Sequence, residues 1–228
     1  MTVILENVIP LGRSLSEYKQ MFGLSETDLG RSIIGVGDGV ASFNSEMKEM
    51  GKKVQSVDPL YEFDGNEIRK RFYEVIDDVV EQLRSTREDY NWTFFTNPDE
   101  YREHRINTTE RFVRDYESGK NEGRYKFGEL PNLEFEDNSF DIALCSFFLF
   151  FYSEQLDYEF HLASVKELIR IAKEVRIHPL IDLAVNRSVH LDPIISEIEK
   201  EGYLVEIKKI EYDMQPNGNI MLSIVKDL

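Results

Sequence analysis

The feature that most constrains the fold is the period of the apolar residues, which switches between two and about 3.6 down most of the chain. That alternation is the signature of an α/β fold, in which strands and helices take turns. Ser14 and Glu17 have capping-box spacing ahead of Leu15, Tyr18 and Phe22, so a helix is expected over 14–22. Ile33 and Ile34 read as a strand entering a glycine cluster. Phe43, Met47 and Met50 then share a helical face that Gly51 ends. Residues 53–57 read as a second strand, and Ile68, Phe72, Val75, Val79 and Leu83 as one face of a long helix. After a short third strand at 125–127, residues 140–146 form a continuous apolar run, expected of a central parallel strand covered on both faces. Leu162, Val165, Ile169 and Ala172 read as an inner helix face and residues 175–177 as a fifth strand. Asp192-Pro193 are expected to cap and open a helix carrying Ile194, Ile195 and Ile198. The end differs in kind: YLVEIKKIEYDM and NIMLSIVKDL flank QPNG, an antiparallel hairpin signal. The expectation is one domain over residues 1–228, with a helical insertion at about 84–122 whose main helix starts at Asn97-Pro98.

Charge and cysteine content exclude several function classes. With 27 Lys and Arg against 43 Asp and Glu the net charge is −16. Such a surface repels phosphate backbones, so no nucleic-acid partner is expected, while small cations are favoured. The insertion mixes aromatics with arginines, but residues 84–117 hold 6 Arg and 8 acids. Arg84/Glu88, Glu110/Arg114 and Arg111/Asp115 fit i,i+4 pairs on a solvated helix face. No apolar run approaches the roughly 18 residues that would span a membrane. MTVILENVIPLGRS lacks the basic region and cleavage site of an export signal, so a cytoplasmic location is expected. A single cysteine, Cys145, excludes an internal disulfide and a multi-cysteine zinc site. In FDIALCSFFLF it reads as a small buried hydrophobe. The histidines show no metal spacing, and no metal is expected.

Strand, glycines and helix start in SIIGVGDGVASFN form a place where a ligand can lie against backbone and free N–H groups. A nicotinamide fingerprint needs G-x-G-x-x-G, but position 40 is Val40 and the pattern is G-x-G-x-G. Asp38 would set a negative charge beside a pyrophosphate, and the Gly-Lys-Ser/Thr of a P-loop is absent. Asp58 ends the second strand about 20 residues on, where an acid can bond both hydroxyls of a ribose. The bland alternative is that Asp58-Pro59 merely starts a turn.

With GELPNLEFEDNSFDIAL at 128–144, the order of features resembles the class I S-adenosylmethionine-dependent methyltransferases. GRSLSEYKQMFGL, GRYKFGELPNL, YSEQLD and VRIHPLIDL are similar to landmarks of a bacterial, substrate-unassigned subgroup of that family. The resemblance implies a Rossmann-like, mostly parallel seven-stranded sheet with helices on both faces and a C-terminal antiparallel hairpin. It implies S-adenosylmethionine as cofactor, bound by Gly35, Val36, Gly37, Asp38, Gly39, Asp58 and Pro59, with Glu129 and Leu130 flanking the adenine and Cys145 and Ser146 beyond. The family often has an acid two positions before the first glycine, where this chain has Ile33, and a histidine after the fourth strand, where it has Phe147.

The implied activity is in-line methyl transfer to a small molecule. Alignment alone supplies on the order of 7–11 kcal/mol, so the scaffold needs no fixed catalytic residue. A base is needed only where the acceptor must lose a proton. Of His104, His161, His178 and His190, the candidates are His178 and His190, which fall at the sheet's carboxyl edge. Trp92, in the cluster YNWTFF, and Phe147 are substrate-side candidates, and the Trp92 cluster equally suits a dimer contact. Oligomeric state stays open, with a homodimer as one option. A catalytically silent S-adenosylmethionine-binding regulatory protein is the rival reading, because fold and cofactor do not establish chemistry.

Overall fold

The computed structural model describes residues 10–226. The export-signal reading therefore rests on a stretch that lies largely outside the described residues, as do residues 227 and 228 of the last strand-like run. Seven strands form one sheet: β1 (Ile33–Val36), β2 (Val54–Val57), β3 (Tyr125–Lys126), β4 (Phe140–Ser146), β5 (Ala172–His178), β6 (Tyr203–Lys209) and β7 (Ile220–Lys226). Their order is β3-β2-β1-β4-β5-β7-β6. The first five run parallel, and β7 is antiparallel to both β5 and β6. The helices are α1 (Leu15–Phe22), α2 (Phe43–Glu49), α3 (Gly65–Ser85), α4 (Pro98–Asn121), α5 (Tyr158–Ile171) and α6 (Leu191–Lys200).

Strand alternation explains the two layers. Ile33, Ile142 and Leu144 face a core shared with α1, α2 and α3, built on Tyr18, Phe22, Phe43, Met47 and Phe72. Ile34, Ala143 and Cys145 face the other way, onto Val165 and Leu168 of α5 and Ile194 and Ile198 of α6. Strand β4 is thus covered on both faces, as its unbroken apolar run demands. A third cluster of Tyr61, Phe112, Tyr116 and Tyr125 closes the β3 edge under α4. Each such fully buried side chain stabilises the fold by roughly 1.5–3 kcal/mol relative to exposure.

Local signals hold at most ends and fail at some. Both halves of the Ser14/Glu17 capping box form, and Asn97 caps α4 ahead of Pro98. Met50 is 47 % exposed, because it caps the end of α2 and does not continue its buried face. Ile76, and not Val75, joins the buried face of α3. Ala172 opens β5, and the inner face of α5 runs through His161, Val165, Leu168 and Ile171. Asp192 does not cap α6; it lies in the first turn, where it pairs with Arg187 and complements the helix dipole. The terminal strands are shorter than the apolar runs, because Ile210, Tyr212 and Met214 turn into the core between them.

The insertion corrects the expectation of a solvated charge ladder. None of the three i,i+4 pairs forms among the described residues. Arg84 reaches Glu81 and Asp99, Glu110 reaches Arg69, Arg111 reaches Glu46 and Glu49, and Asp115 reaches Arg124. Arg105 is fully buried. Its guanidinium donates to Glu17 through both terminal nitrogens and to the Gly12 carbonyl at 2.6 Å. Glu17, also fully buried, further accepts from the Ser14 N–H at 2.9 Å and the Tyr212 hydroxyl at 3.2 Å. Burial alone would raise the Glu17 pKa, but the charge of Arg105 and the hydrogen bond from His104 outweigh it and hold it far below the usual range. Arg105→Ala leaves this carboxylate uncompensated and is expected to cost roughly 3–5 kcal/mol, read as a lowered midpoint in chemical denaturation.

Candidate functional site

The glycine turn sits where β1, β2 and β4 end side by side. Gly37 (φ 68°) and Gly39 (φ 52°) take left-handed backbone that a side chain would strain. Gly35 has a different reason: a Cβ there would meet the Asp38 carboxylate at 2.3 Å. The carboxylate of Asp38 therefore folds back over the strand, where it accepts from the Tyr18 hydroxyl and from the Ser56 hydroxyl at 2.5 Å. Asp58 caps the short helical turn after β2 by accepting from the Leu60 N–H at 2.8 Å, and its other oxygen accepts from the Gly39 N–H at 2.8 Å. The turn reading and the site reading of Asp58 are thus both met by one geometry.

Burial pushes both carboxyls up to about 6; Ser56 and Tyr18 oppose the shift at Asp38, and the two backbone donors oppose it at Asp58. Two desolvated acids side by side disfavour an anion and favour a cation. They border a cavity of about 590 Å³, within the range of small-molecule sites. The structure brings Val36, Gly37, Asp38, Gly39, Asp58, Pro59, Glu129, Leu130, Ser146 and Phe147 together around it. Gly35 and Cys145 are not in the lining. Cys145 is buried on the α5 side of β4, and burial pushes its thiol up to about 12. Ile33 is buried in the core layer beneath α1, α2 and α3 and is not in the lining of the cavity.

A second, smaller cavity of about 80 Å³ adjoins the first across Leu11, Arg13 and Phe147, which line both. Its far walls include Tyr90, Tyr101, Arg105 and Tyr212. Phe147 has φ 51°, a left-handed conformation rare for so large a residue, and its N–H donates to the His178 carbonyl at 2.7 Å. Its ring carries the Arg13 guanidinium at 3.8 Å.

The remaining candidates stand apart from both cavities. His178 is buried beneath Phe147 and Tyr212, with Nδ1 against the Ile220 carbonyl at 3.1 Å. Burial, assisted by the nearby charge of Arg13, pushes its pKa down to about 3, so it stays neutral and takes up no proton at neutral pH. His190 Nε2 bonds the Ser153 carbonyl at 3.1 Å. Trp92 packs on Tyr90 and donates its indole N–H to the Arg87 carbonyl at 2.8 Å; Tyr90, not Trp92, reaches the smaller cavity. Sequence reading missed Arg13 and Arg105. Residues 101, 105, 108, 112 and 116 share one buried helix face, so Arg105 occupies an apolar slot that periodicity could have exposed. Arg13 left no such signal. Among the described residues no group of His, Cys, Asp and Glu could hold a metal.

A seven-stranded sheet in this order, with β7 reversed and the glycine turn at the end of its first strand, is the class I methyltransferase fold. The chain belongs to the family of the uncharacterized protein MJ0045 of Methanocaldococcus jannaschii, with which it is 34 % identical over 221 residues, 96 % of this chain and 97 % of that one. That relative is archaeal, so the match gives no support to a bacterial subgroup. No protein-family model matches the chain. Among solved structures, magnesium protoporphyrin IX methyltransferase from Synechocystis PCC 6803 has a TM-score of 0.47 at 13 % identity, covering 89 % of this chain and 73 % of that one. A putative S-adenosyl-L-methionine-dependent methyltransferase from Methanococcus maripaludis has 0.43 at 12 %, covering 94 % and 84 %. Superpositions this loose carry no weight beside the strand order.

The raised pKa of Asp38 has a measurable sign. Folding takes up a proton there between pH 3.8 and about 6, so its contribution to stability is present at low pH and lost as pH rises through about 6. Asp38→Asn lacks this titration. The stability of the parent minus that of the variant is expected to fall across this window and then level, in denaturation curves taken over a pH series.

Proposed function

We propose that the protein binds S-adenosylmethionine in the larger cavity and transfers its methyl group to a small molecule. The observation that carries this is the pairing of Asp38 and Asp58 beside a backbone turn that only glycine can make, at the carboxyl ends of parallel strands. A cationic ligand suits two desolvated carboxylates, and a pyrophosphate does not. The Asp58 oxygens, each already fixed by a backbone donor, keep acceptor capacity for ribose hydroxyls. Glu129 and Leu130 border the same space from the far side of β2 and suit an adenine edge and face. Bound there, the cofactor supplies an activated sulfonium methyl, and the chain's part is to align the acceptor behind it.

The rival reading is binding without turnover, favoured by one observation: neither cavity is lined by a histidine, and His178 is held neutral outside them. With the leading reading go a small-molecule partner and no nucleic acid, supported by the net charge of −16. A cytoplasmic setting goes with it too; among the described residues no helix is long and apolar enough to cross a membrane. The continuous sheet supports one domain over residues 1–228, with 84–122 inserted between β2 and β3.

Calorimetry is expected to detect S-adenosylmethionine and S-adenosylhomocysteine and not NAD; the reverse would overturn the cofactor reading. Hydrogen bonds to a charged acceptor contribute roughly 1.5–3 kcal/mol each. Asp58→Ala is therefore expected to weaken S-adenosylhomocysteine at least tenfold. Release of S-adenosylhomocysteine with metabolite extracts separates an enzyme from a binder.

A further inference from the structure

The smaller cavity has donors without acceptors. Nε of Arg13 and Nε of Arg105 are both buried and have no hydrogen-bond partner, and both side chains line this cavity. Arg105 is fully buried, and its terminal nitrogens are occupied by Glu17 and the Gly12 carbonyl. Arg13 differs: among the described residues no carboxylate lies within ion-pair distance of it, although acids outnumber Lys and Arg by 43 to 27. Its partners are the Leu11 carbonyl and the face of Phe147. Among the described residues this guanidinium, at the junction of two cavities and beside orphaned N–H groups, has no matching anion. The remaining walls are apolar and aromatic, with Tyr90, Tyr101, Phe151 and Met214 among them.

Resting on the methyltransferase reading above, we infer that the acceptor lies across the junction of the two cavities, with its charged end in the smaller one at Arg13, and that it is a small, flat oxyanion, an aromatic carboxylate or phenolate. This class of acceptor explains why no histidine lines either cavity. A lone pair on the ionised oxygen forms the new O–CH₃ bond as the C–S bond breaks, and the electrons of that bond stay on sulfur. The sulfonium becomes a neutral thioether, the oxyanion becomes an ester or ether, and no proton moves. Leu11, Arg13 and Phe147, shared by both cavities, are where the two reactants meet. The left-handed backbone of Phe147 sets the ring beneath the guanidinium and so fixes the cation at that junction.

The test is calorimetry of the full chain with benzoate and its neutral isostere benzamide, with and without S-adenosylhomocysteine. Benzoate is expected to bind at least tenfold tighter than benzamide. Arg13→Gln should remove that preference while Arg13→Lys retains part of it, with thermal unfolding of both variants checked against the parent. Equal binding of the two probes, or an undiminished preference in Arg13→Gln, overturns the inference. So does a loss of S-adenosylhomocysteine affinity in Arg13→Gln with benzoate binding unchanged, which would assign Arg13 to the amino-acid carboxylate of the cofactor. If the parent binds benzoate but not S-adenosylhomocysteine, the cofactor reading fails and the oxyanion site stands. Should it bind S-adenosylhomocysteine and neither probe, the oxyanion site fails and the cofactor reading stands.

Discussion

The buried pair of Glu17 and Arg105 ties together segments that sequence keeps far apart: α1, the inserted α4 and, through the Tyr212 hydroxyl, the loop between β6 and β7. Enclosing two charges is costly, and such a pair gives little net stability against an apolar replacement. Its value lies in where it can form. The observed placement of α4 satisfies the carboxylate, the guanidinium and the Gly12 carbonyl at once. That placement also sets Tyr101 and Arg105 as walls of the smaller cavity. The turn carrying Gly12 and Arg13 is held from the other side, where a Cβ on Gly12 would collide with the Val40 carbonyl at 2.0 Å. The glycine turn, the N-terminal segment and the insertion thus form one packed assembly over the carboxyl ends of the strands.

Much of this was legible in the sequence because the relevant physics is local. Period and turn chemistry predict the sheet, the reversed terminal hairpin and the glycine turn, since each depends on residues a few positions apart. Asp58 was legible for the same reason, as it closes a strand directly. What the sequence concealed was set by tertiary contact. Arg105 sits among charges whose spacing suits a solvated ladder, and only the packing of α4 on α1 buries it. Asp99, Arg69 and Glu49, which pair with Arg84, Glu110 and Arg111, lie on neighbouring helices, so nothing in local spacing identifies them. His178 closes a strand at the expected edge, yet the rings of Phe22, Phe147 and Tyr212 cover it.

The two cavities divide the chemistry by charge. Asp38, Asp58, Glu62 and Glu129 border the larger one together with Arg71, the smaller has Arg105 and no acid in its lining, and Arg13 and Phe147 stand between them. On the proposed reading, that difference favours the cationic ligand in the larger cavity and the oxyanion's charged end in the smaller. It also places the division of labour in the scaffold: β1 and β2 present the acids, and the insertion with the N-terminal segment presents the cations.

The chain has one tryptophan, and it stands at an informative place. Trp92 is half-buried, tethered through its indole N–H to the Arg87 carbonyl and packed against Tyr90, whose ring borders the smaller cavity. All indole emission of the protein therefore arises one ring away from that chamber. Filling of the chamber, or loosening of the insertion above it, alters the solvent shell of a single fluorophore, so the native molecule carries its own optical gauge of that region without any label.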